Sequence, residues 1–353
     1  MRMLKPALAA LVVVIMAAPA MAQVPRTKDG KPDLTGNWTN ASVTPLTRSP
    51  TNKTLVVGEE EAKRIASGYA VGGIKEEGYK TNYSDPNKGA PPKGGKDFGI
   101  QAYDSFWWDP GTSLALVKGE YRTSYVVDPP SGQLPFVDPV GQEKARLANR
   151  ERYDTGNAAY EGPEDPTLGE RCIVFPPRSG PGMLSSGYNN NSQFVQTPDH
   201  MVIQIEQVHD ARIVPIFESA EKARVGHKPA ALHPWFGDSV GWWEGDTFVV
   251  ESTNMHPEQA EAHGFPMSPK GVITERFTRT SEKDIFYEFS VVDPATYTQP
   301  WKAESSFYPA KQLYEYACHE GNYGMIGILA GAREKERRAA AKTAKVRTAK
   351  GGQ

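Results

Sequence analysis

The amino-acid sequence predicts a mainly β fold, built on an antiparallel barrel with few short helices. After Pro166, eight segments alternate apolar and polar residues and are rich in β-branched and aromatic types, which is typical of strands. Turn sequences such as Trp243-Glu-Gly-Asp246 separate several of these segments at hairpin spacing. Such strands bury one face by closing into a barrel or by packing as a sandwich. We expect the barrel, and the sandwich is the alternative.

The predicted strands follow one another closely through the second half of the chain. They are residues 193–197, 200–206, 211–217, 238–244, 246–253, 272–279, 284–292 and 301–307. Gly245 in one of the turns is expected to adopt a positive φ, which glycine tolerates. Arg276 and Glu288 are expected to form a cross-strand ion pair.

The N-terminus has the three parts of a secretory signal peptide. Arg2 and Lys5 form a basic start, residues 7–18 are apolar, and residues 20–22 read Ala-Met-Ala. The apolar run is shorter than the ~20 residues that cross a bilayer. We therefore expect cleavage before Gln23 and a periplasmic or secreted protein that does not span a membrane. An uncleaved membrane anchor is the alternative.

The rest of the chain divides by composition into three regions. Residues 23–160 are rich in Lys, Gly, Pro and Asn and predict an irregular region packed on the core, with short helices near 57–67 and 142–152. Residues 161–331 form the predicted antiparallel β domain. Residues 332–353 are a basic tail, which is either a frayed helix or disordered. The net charge of −2 argues against a dedicated nucleic-acid binder.

The two cysteines, Cys172 and Cys318, are the minimum for one disulfide. An oxidising compartment permits the bond, and two separate buried thiols are the alternative. Neither cysteine belongs to a Cys-x-x-Cys pair, so a redox centre or a zinc ribbon is not indicated.

Several longer motifs carry a resemblance. Pro32-Asp-Leu-Thr-Gly-Asn-Trp38 contains a Gly-x-Trp that is similar to the first strand of lipocalin-like barrels, where the tryptophan plugs the barrel floor. Two longer motifs are Trp235-Phe-Gly-Asp-Ser-Val-Gly-Trp-Trp-Glu-Gly-Asp-Thr247 and Tyr314-Glu-Tyr-Ala-Cys-His-Glu-Gly-Asn-Tyr-Gly324. Through motifs such as these the chain resembles an uncharacterised family of secreted bacterial proteins, and the resemblance covers most of the predicted mature protein. It implies an exported bacterial protein with a β-rich core.

Two polar clusters are candidates for chemistry. Glu206 and His209 lie at a strand end and form a possible carboxylate–imidazole pair, with Arg212 as the partner of an anionic group. The alternative is a polar strand edge with a surface salt bridge. In the second cluster, His319 is a candidate general base that Glu320 orients beside a rigid disulfide. The alternative is that Cys318 anchors a turn.

Other side chains are expected to bind substrate or to be structural. Trp243, Trp301, Asn322 and Tyr323 are the candidate substrate-binding residues. We expect no cofactor, because the chain has no dinucleotide-binding or Walker motif. Two histidines and a carboxylate are an acceptable ligand set for zinc or iron, but the chain has no His-Glu-x-x-His motif and we assign no metal site. His227, His233, His256 and His263 are expected at the surface.

These observations favour an exported enzyme without an organic cofactor, either a lyase, an isomerase or a hydrolase. His209 and His319 would move protons on a small apolar or aromatic molecule, and Glu206 and Glu320 would orient them. A carrier that does not turn its ligand over and a structural protein of the envelope are the alternatives. The sequence makes no prediction of the oligomeric state.

Overall fold

The computed structural model of the protein describes residues 24–70, 110–154, 160, 162–175, 180–320 and 322–350. The predicted signal peptide lies outside these residues. The strands are β1 Gly36–Thr39, β2 Val56–Val57, β3 Leu116–Val117, β4 Glu120–Arg122, β5 Val126–Asp128, β6 Asn191–Gln196, β7 His200–Ile205, β8 Ala211–Phe217, β9 Asp238–Glu244, β10 Thr247–Thr253, β11 Val272–Ser281, β12 Asp284–Val292 and β13 Trp301–Pro309.

Helices connect or flank the strands. They are α1 Glu59–Ala70, α2 Pro139–Asp154, α3 Ala220–Val225, α4 Pro257–Ala262 and α5 Tyr323–Lys350, and a 3-10 helix spans Gln207–His209. The sequence left open whether the basic tail is a frayed helix or disordered. Its described residues are helical and belong to α5. None of the helices in the described parts of the chain has both the length and the apolar character that a bilayer crossing requires.

Nine of the described strands close into a barrel. Their order is β1-β6-β7-β8-β9-β10-β11-β12-β13, and β13 pairs with β1. Closure decides for the predicted barrel and against the sandwich. The strands are antiparallel to their neighbours except that β8 and β9 are parallel, with Ile216 opposite Gly241. A parallel pair needs a crossover, and here the chain crosses over through α3.

The N-terminal region contributes to the barrel, although its composition predicted an irregular segment. Trp38 of β1 pairs with Ser192 of β6 and with Pro309 of β13, so β1 joins the two edges of the sheet. β5 pairs with the beginning of β13, and β2, β3 and β4 form a separate small sheet. The Gly36-x-Trp38 motif, which is similar to the first strand of lipocalin-like barrels, lies in β1, although the Pro- and Gly-rich composition around it shows no strand periodicity.

The barrel interior is filled by aromatic rings. Phe194 lies edge-on to Phe277 and Phe307, with ring centroids 5.6 and 5.5 Å apart, and all three rings are buried. Trp38 is buried in the same core and donates a hydrogen bond to the Leu34 carbonyl oxygen at 2.9 Å. Burial of this many large rings is the main favourable term for the fold.

The expected turn and ion pair on the outer surface are both present. Gly245 has a φ of 61° in the turn between β9 and β10. Arg276 lies directly opposite Glu288, with Nε and Oε1 3.7 Å apart. Alternation along the strand therefore places the guanidinium of Arg276 outside and the carboxylate of its neighbour Glu275 inside.

One end of the barrel, which we call the upper end, is where β6, β8, β9, β11 and β13 begin. Residues 180–184, which we call the cap segment, lie against the interior side chains at this end. Gly182 N–H donates to Glu275 Oε1 at 3.1 Å, and Met183 N–H donates to Tyr287 Oη at 2.8 Å. The loop that contains α4 also covers this end, because it connects the end of β10 to the start of β11.

Candidate functional site

A surface groove at the upper end brings three of the predicted catalytic residues together. Glu206, His319 and Glu320 all line it, and its volume is about 510 Å³. This volume lies within the usual range of small-molecule sites, roughly 300–1,000 Å³. The other lining residues are Gln204, Leu313, Tyr314, Glu315, Tyr316 and Ala317. The groove is thus formed by the end of β7 and by the segment between β13 and α5.

Glu206 is held in one orientation by two asparagines. Asn189 Nδ2 donates to its Oε1 at 2.5 Å, and Asn191 Nδ2 donates to its Oε2 at 2.6 Å. The residue is only 3% exposed, so the carboxylate is fixed at the base of the groove. Each carboxylate oxygen can accept a further hydrogen bond. Neither asparagine was predicted as a site residue from the sequence, although the run Asn189-Asn-Asn191 is a recognisable polar feature.

The opposite side of the groove is fastened by the disulfide. Cys172 and Cys318 are bonded, with their Cα atoms 5.8 Å apart, which confirms the predicted bridge. Asn322 Nδ2 donates to the Glu170 carbonyl oxygen at 2.8 Å. Asn322 therefore fixes the backbone of the disulfide arm. His319 is exposed and lies next to Cys318, so the bond anchors the segment that carries the imidazole.

The other predicted site residues lie elsewhere. Arg212 faces the barrel interior and Trp301 is fully buried there, while Trp243 lies beside Phe248 at the opposite end of its strand, with ring centroids 5.2 Å apart. Tyr323 is 78% exposed at the start of α5. The backbone of His209 lies in the 3-10 helix, but its side chain is outside the described residues.

Arg212 belongs to a buried network that was not predicted from the sequence. Its Nη1 and Nη2 donate to the two carboxylate oxygens of Glu275 at 2.6 and 3.1 Å. Tyr287 Oη donates to Glu275 Oε1 at 2.8 Å. Although burial opposes it, the Glu275 carboxylate raises the pKa of the Arg212 guanidinium, and burial raises the pKa of the Tyr287 phenol. The sequence predicted an anionic ligand for Arg212, whereas the structure supplies Glu275.

Two histidines that were expected at the surface are largely enclosed, and that expectation is wrong for them. His227 is 13% exposed and lies between two carboxylates, 2.9 Å from Asp238 and 3.6 Å from Glu251. The Glu251 and Asp238 carboxylates raise the pKa of its imidazole against partial burial. His263 is 6% exposed beside Phe265, and burial lowers its pKa to about 4. The Pro- and Ala-rich composition around both residues predicted exposed loops.

Among the described residues, no three His, Cys, Asp or Glu side chains are arranged to share a metal ion. No protein-family model matches this chain, and comparisons with curated proteins and with solved structures found no match.

Proposed function

We propose that the protein is an exported enzyme that hydrolyses a small aromatic or apolar molecule in the groove by acid–base chemistry. The observation that carries this proposal is the meeting of Glu206, His319 and Glu320 along one groove of ligand size. The N-terminal sequence and the family resemblance support export from a bacterial cell.

Hydrolysis fits this groove better than elimination or isomerisation. His319 is exposed, so water has free access to its imidazole. A carbanion formed in such an open site would be protonated by solvent, because only a closed site protects a reactive intermediate from water. An open site instead gives the substrate access to water, which is the nucleophile in hydrolysis.

We assign the roles from the exposure of His319 and from the two carboxylates that line the same groove. His319 accepts a proton from water while the water oxygen attacks the carbonyl carbon of the substrate. The same proton then passes to the leaving group, so that the imidazole returns to its starting form. Glu320 orients the imidazole, and Glu206 holds the substrate. His209 remains a candidate second base.

The lining residues suggest the kind of substrate. Leu313, Tyr314 and Tyr316 offer apolar and aromatic surface to a ring. Three of the nine described lining residues are glutamates and none is Lys or Arg. An anionic substrate would therefore be repelled, and a neutral or cationic aromatic ester is preferred.

The test measures ester hydrolysis by the protein that begins at Gln23. The substrates are phenyl acetate, its 3-trimethylammonio derivative and 4-acetoxybenzoate, which are neutral, cationic and anionic. We expect the anion to be the poorest substrate. His319→Gln should lower kcat/KM by about 100-fold or more, since a positioned base contributes at least that much. His233→Gln, at an exposed histidine that does not line the groove, is the matched control.

Equal activity of His319→Gln and His233→Gln would contradict the proposal. Binding of the three esters without turnover would also contradict it and would leave a carrier as the better description. In both cases the circular dichroism spectra of the variants must match that of the unsubstituted protein.

A further inference from the structure

The carboxylate of Glu206 lies at the base of the groove without a cationic partner. Its side chain is 3% exposed, and its hydrogen-bond donors are the neutral amides of Asn189 and Asn191. No Lys, Arg or His side chain in the described parts of the chain forms an ion pair with it. A charge removed from water is costly unless an opposite charge compensates it, so buried carboxylates are usually paired.

The other two buried glutamates of the described chain follow this rule. Glu275 is paired with Arg212 at 2.6 Å, and Glu251 is paired with Arg224 at 3.1 Å. Neither of them lines the groove, whereas Glu206 does. The uncompensated glutamate is therefore the one that a ligand can reach.

Neutral donors alone can satisfy a buried carboxylate, as Asp293 shows, but they do so less completely for Glu206. Asp293 accepts hydrogen bonds from the N–H and the hydroxyl of Ser268 at 2.6 and 2.8 Å and from the N–H of Ala295 at 3.2 Å. Glu206 accepts one hydrogen bond on each oxygen, and each oxygen keeps a site for a second. Both carboxylate oxygens of Glu206 therefore have acceptor capacity left for a ligand in the groove.

The rest of the groove favours a cation with an aromatic body. Glu315 and Glu320 are exposed along its lining, and their negative charges attract cations toward Glu206. Tyr314 is 62% exposed, and Tyr316 also lines the groove. Their rings offer flat apolar surface on which an aromatic ring can pack.

We propose that Glu206 binds the amidinium or guanidinium group of an aromatic ligand, which completes the ion pair that the protein leaves open. This inference deepens the proposed function and rests on it, because the ligand occupies the same groove as the substrate. A planar cation of this kind donates two parallel N–H bonds, one to each carboxylate oxygen, as arginine does in its bidentate pairs. Glu206 has one free acceptor site on each oxygen, which matches this pair of donors.

The experiment measures by calorimetry how three small molecules bind to the protein that begins at Gln23. Benzamidine carries the planar cation, benzamide is its neutral counterpart of similar shape, and phenyltrimethylammonium is a cation without N–H donors. We expect benzamidine to bind at least tenfold more tightly than either of the others, because charge-assisted hydrogen bonds are lost with both.

Two substitutions locate the contact. Glu206→Gln keeps the size of the side chain and removes its charge, and it should weaken benzamidine binding about tenfold or more while benzamide binding changes less than threefold. Glu315→Gln removes the same charge from an exposed position in the same groove and should weaken benzamidine binding less than threefold, because solvent screens an exposed charge. The comparison of benzamidine with benzamide on the unsubstituted protein needs no variant, so it remains decisive if Glu206→Gln fails to fold.

Equal binding of benzamidine and benzamide, or no binding of benzamidine, would overturn the inference. Binding of phenyltrimethylammonium as tight as that of benzamidine would also overturn it, since that cation has no N–H to donate to Glu206. Equal losses in Glu206→Gln and Glu315→Gln would mean that only the general charge of the groove acts.

The inference and the proposed function can fail separately. Tight binding of benzamidine by a protein that hydrolyses none of the three esters would contradict the hydrolysis and leave the cation site standing. Ester hydrolysis that benzamidine does not inhibit would leave the hydrolysis standing and contradict the cation site.

Discussion

At the scale of single residues, the ion pair of Arg212 with Glu275 places two opposite charges inside the barrel. The two side chains are 2% and 0% exposed, so both charges are removed from water. The bidentate geometry and the hydrogen bonds from Tyr287 and Gly182 offset this cost. The pair therefore holds the cap segment in place and connects β8 to β11 across the barrel.

Removing one partner of this pair should destabilise the protein strongly. Glu275→Gln or Arg212→Met leaves an uncompensated buried charge, and we expect the free energy of unfolding to fall by about 3–5 kcal/mol. Urea unfolding of both single variants and of the double variant measures the effect. The double variant should lose clearly less than the sum of the two. Additive losses would show that the two side chains do not act as a pair.

His263 should make the stability depend on pH in the acid range. The unfolded chain takes up a proton at this residue near pH 6.5, whereas the folded protein does so only at about pH 4. Stability is therefore fully present above pH 6.5 and is lost as the pH falls through this window, by about 3 kcal/mol for a shift of this size. His263→Phe removes the titrating group. Between pH 7 and pH 4, the unfolding free energy of the unsubstituted protein should fall by more than that of His263→Phe. A constant difference would contradict the assignment.

At the scale of elements, the disulfide connects the groove to the rest of the molecule. It closes a sequence separation of 146 residues, and such a bond stabilises a chain by about 4–5 kcal/mol in the loop-entropy description. The Cys172→Ser, Cys318→Ser double variant should lose about this much. It should also lose ester hydrolysis at temperatures where the barrel is still folded, because His319 is no longer anchored. Near-ultraviolet circular dichroism reports the barrel and kcat/KM reports the groove. Full activity in a folded double variant would show that the bond does not position His319.

The connection after α3 is fastened to the barrel by a charged cluster. His227 lies between Asp238 and Glu251, and Arg224 contacts Glu251 at 3.1 Å. The two carboxylates raise the pKa of His227 above 6.5, so its protonated form stabilises the folded protein. This stabilisation is fully present below pH 6.5 and is lost as the pH rises through the raised folded-state pKa.

The corresponding prediction concerns His227→Gln. Its unfolding free energy should be lower than that of the unsubstituted protein at pH 6, and the difference should shrink as the pH rises toward 9. Chemical unfolding at three or four pH values measures it, with His233→Gln as the exposed control. A difference that grows with pH would contradict the sign of the argument.

At the scale of the whole molecule, closure of the barrel depends on β1. This strand covers the edges of β6 and β13, which would otherwise present unpaired N–H and C=O groups. A chain that begins at Ala41 should therefore aggregate or associate, as light scattering would show. A chain that ends at Ala332 lacks most of α5 and keeps every barrel strand, so it should remain monodisperse. Equal behaviour of the two truncated chains would show that β1 does not protect the barrel.

Features that depend on local patterns were predictable from the sequence. All eight predicted strands are present within one or two residues of their predicted bounds, because alternation and turn residues are properties of short segments. The Gly245 turn and the pairing of Arg276 with Glu288 follow from the same hairpins. The convergence of Glu206 with His319 could only be suspected, since these residues lie in separate segments that the disulfide brings together.

The tertiary structure alone decided which polar side chains meet and on which side of the barrel wall. Glu206 lines the outer groove, whereas Arg212 of the next strand turns inward to Glu275, 63 residues further along the chain. That contact depends on the parallel step from β8 to β9 and on the closure of the sheet through β1, which no local pattern encodes. Alternation in the sequence determines which residues share a face of a strand. The order and stagger of the strands around the barrel determine which of them touch, because partners across a closed sheet are set by the geometry of the whole.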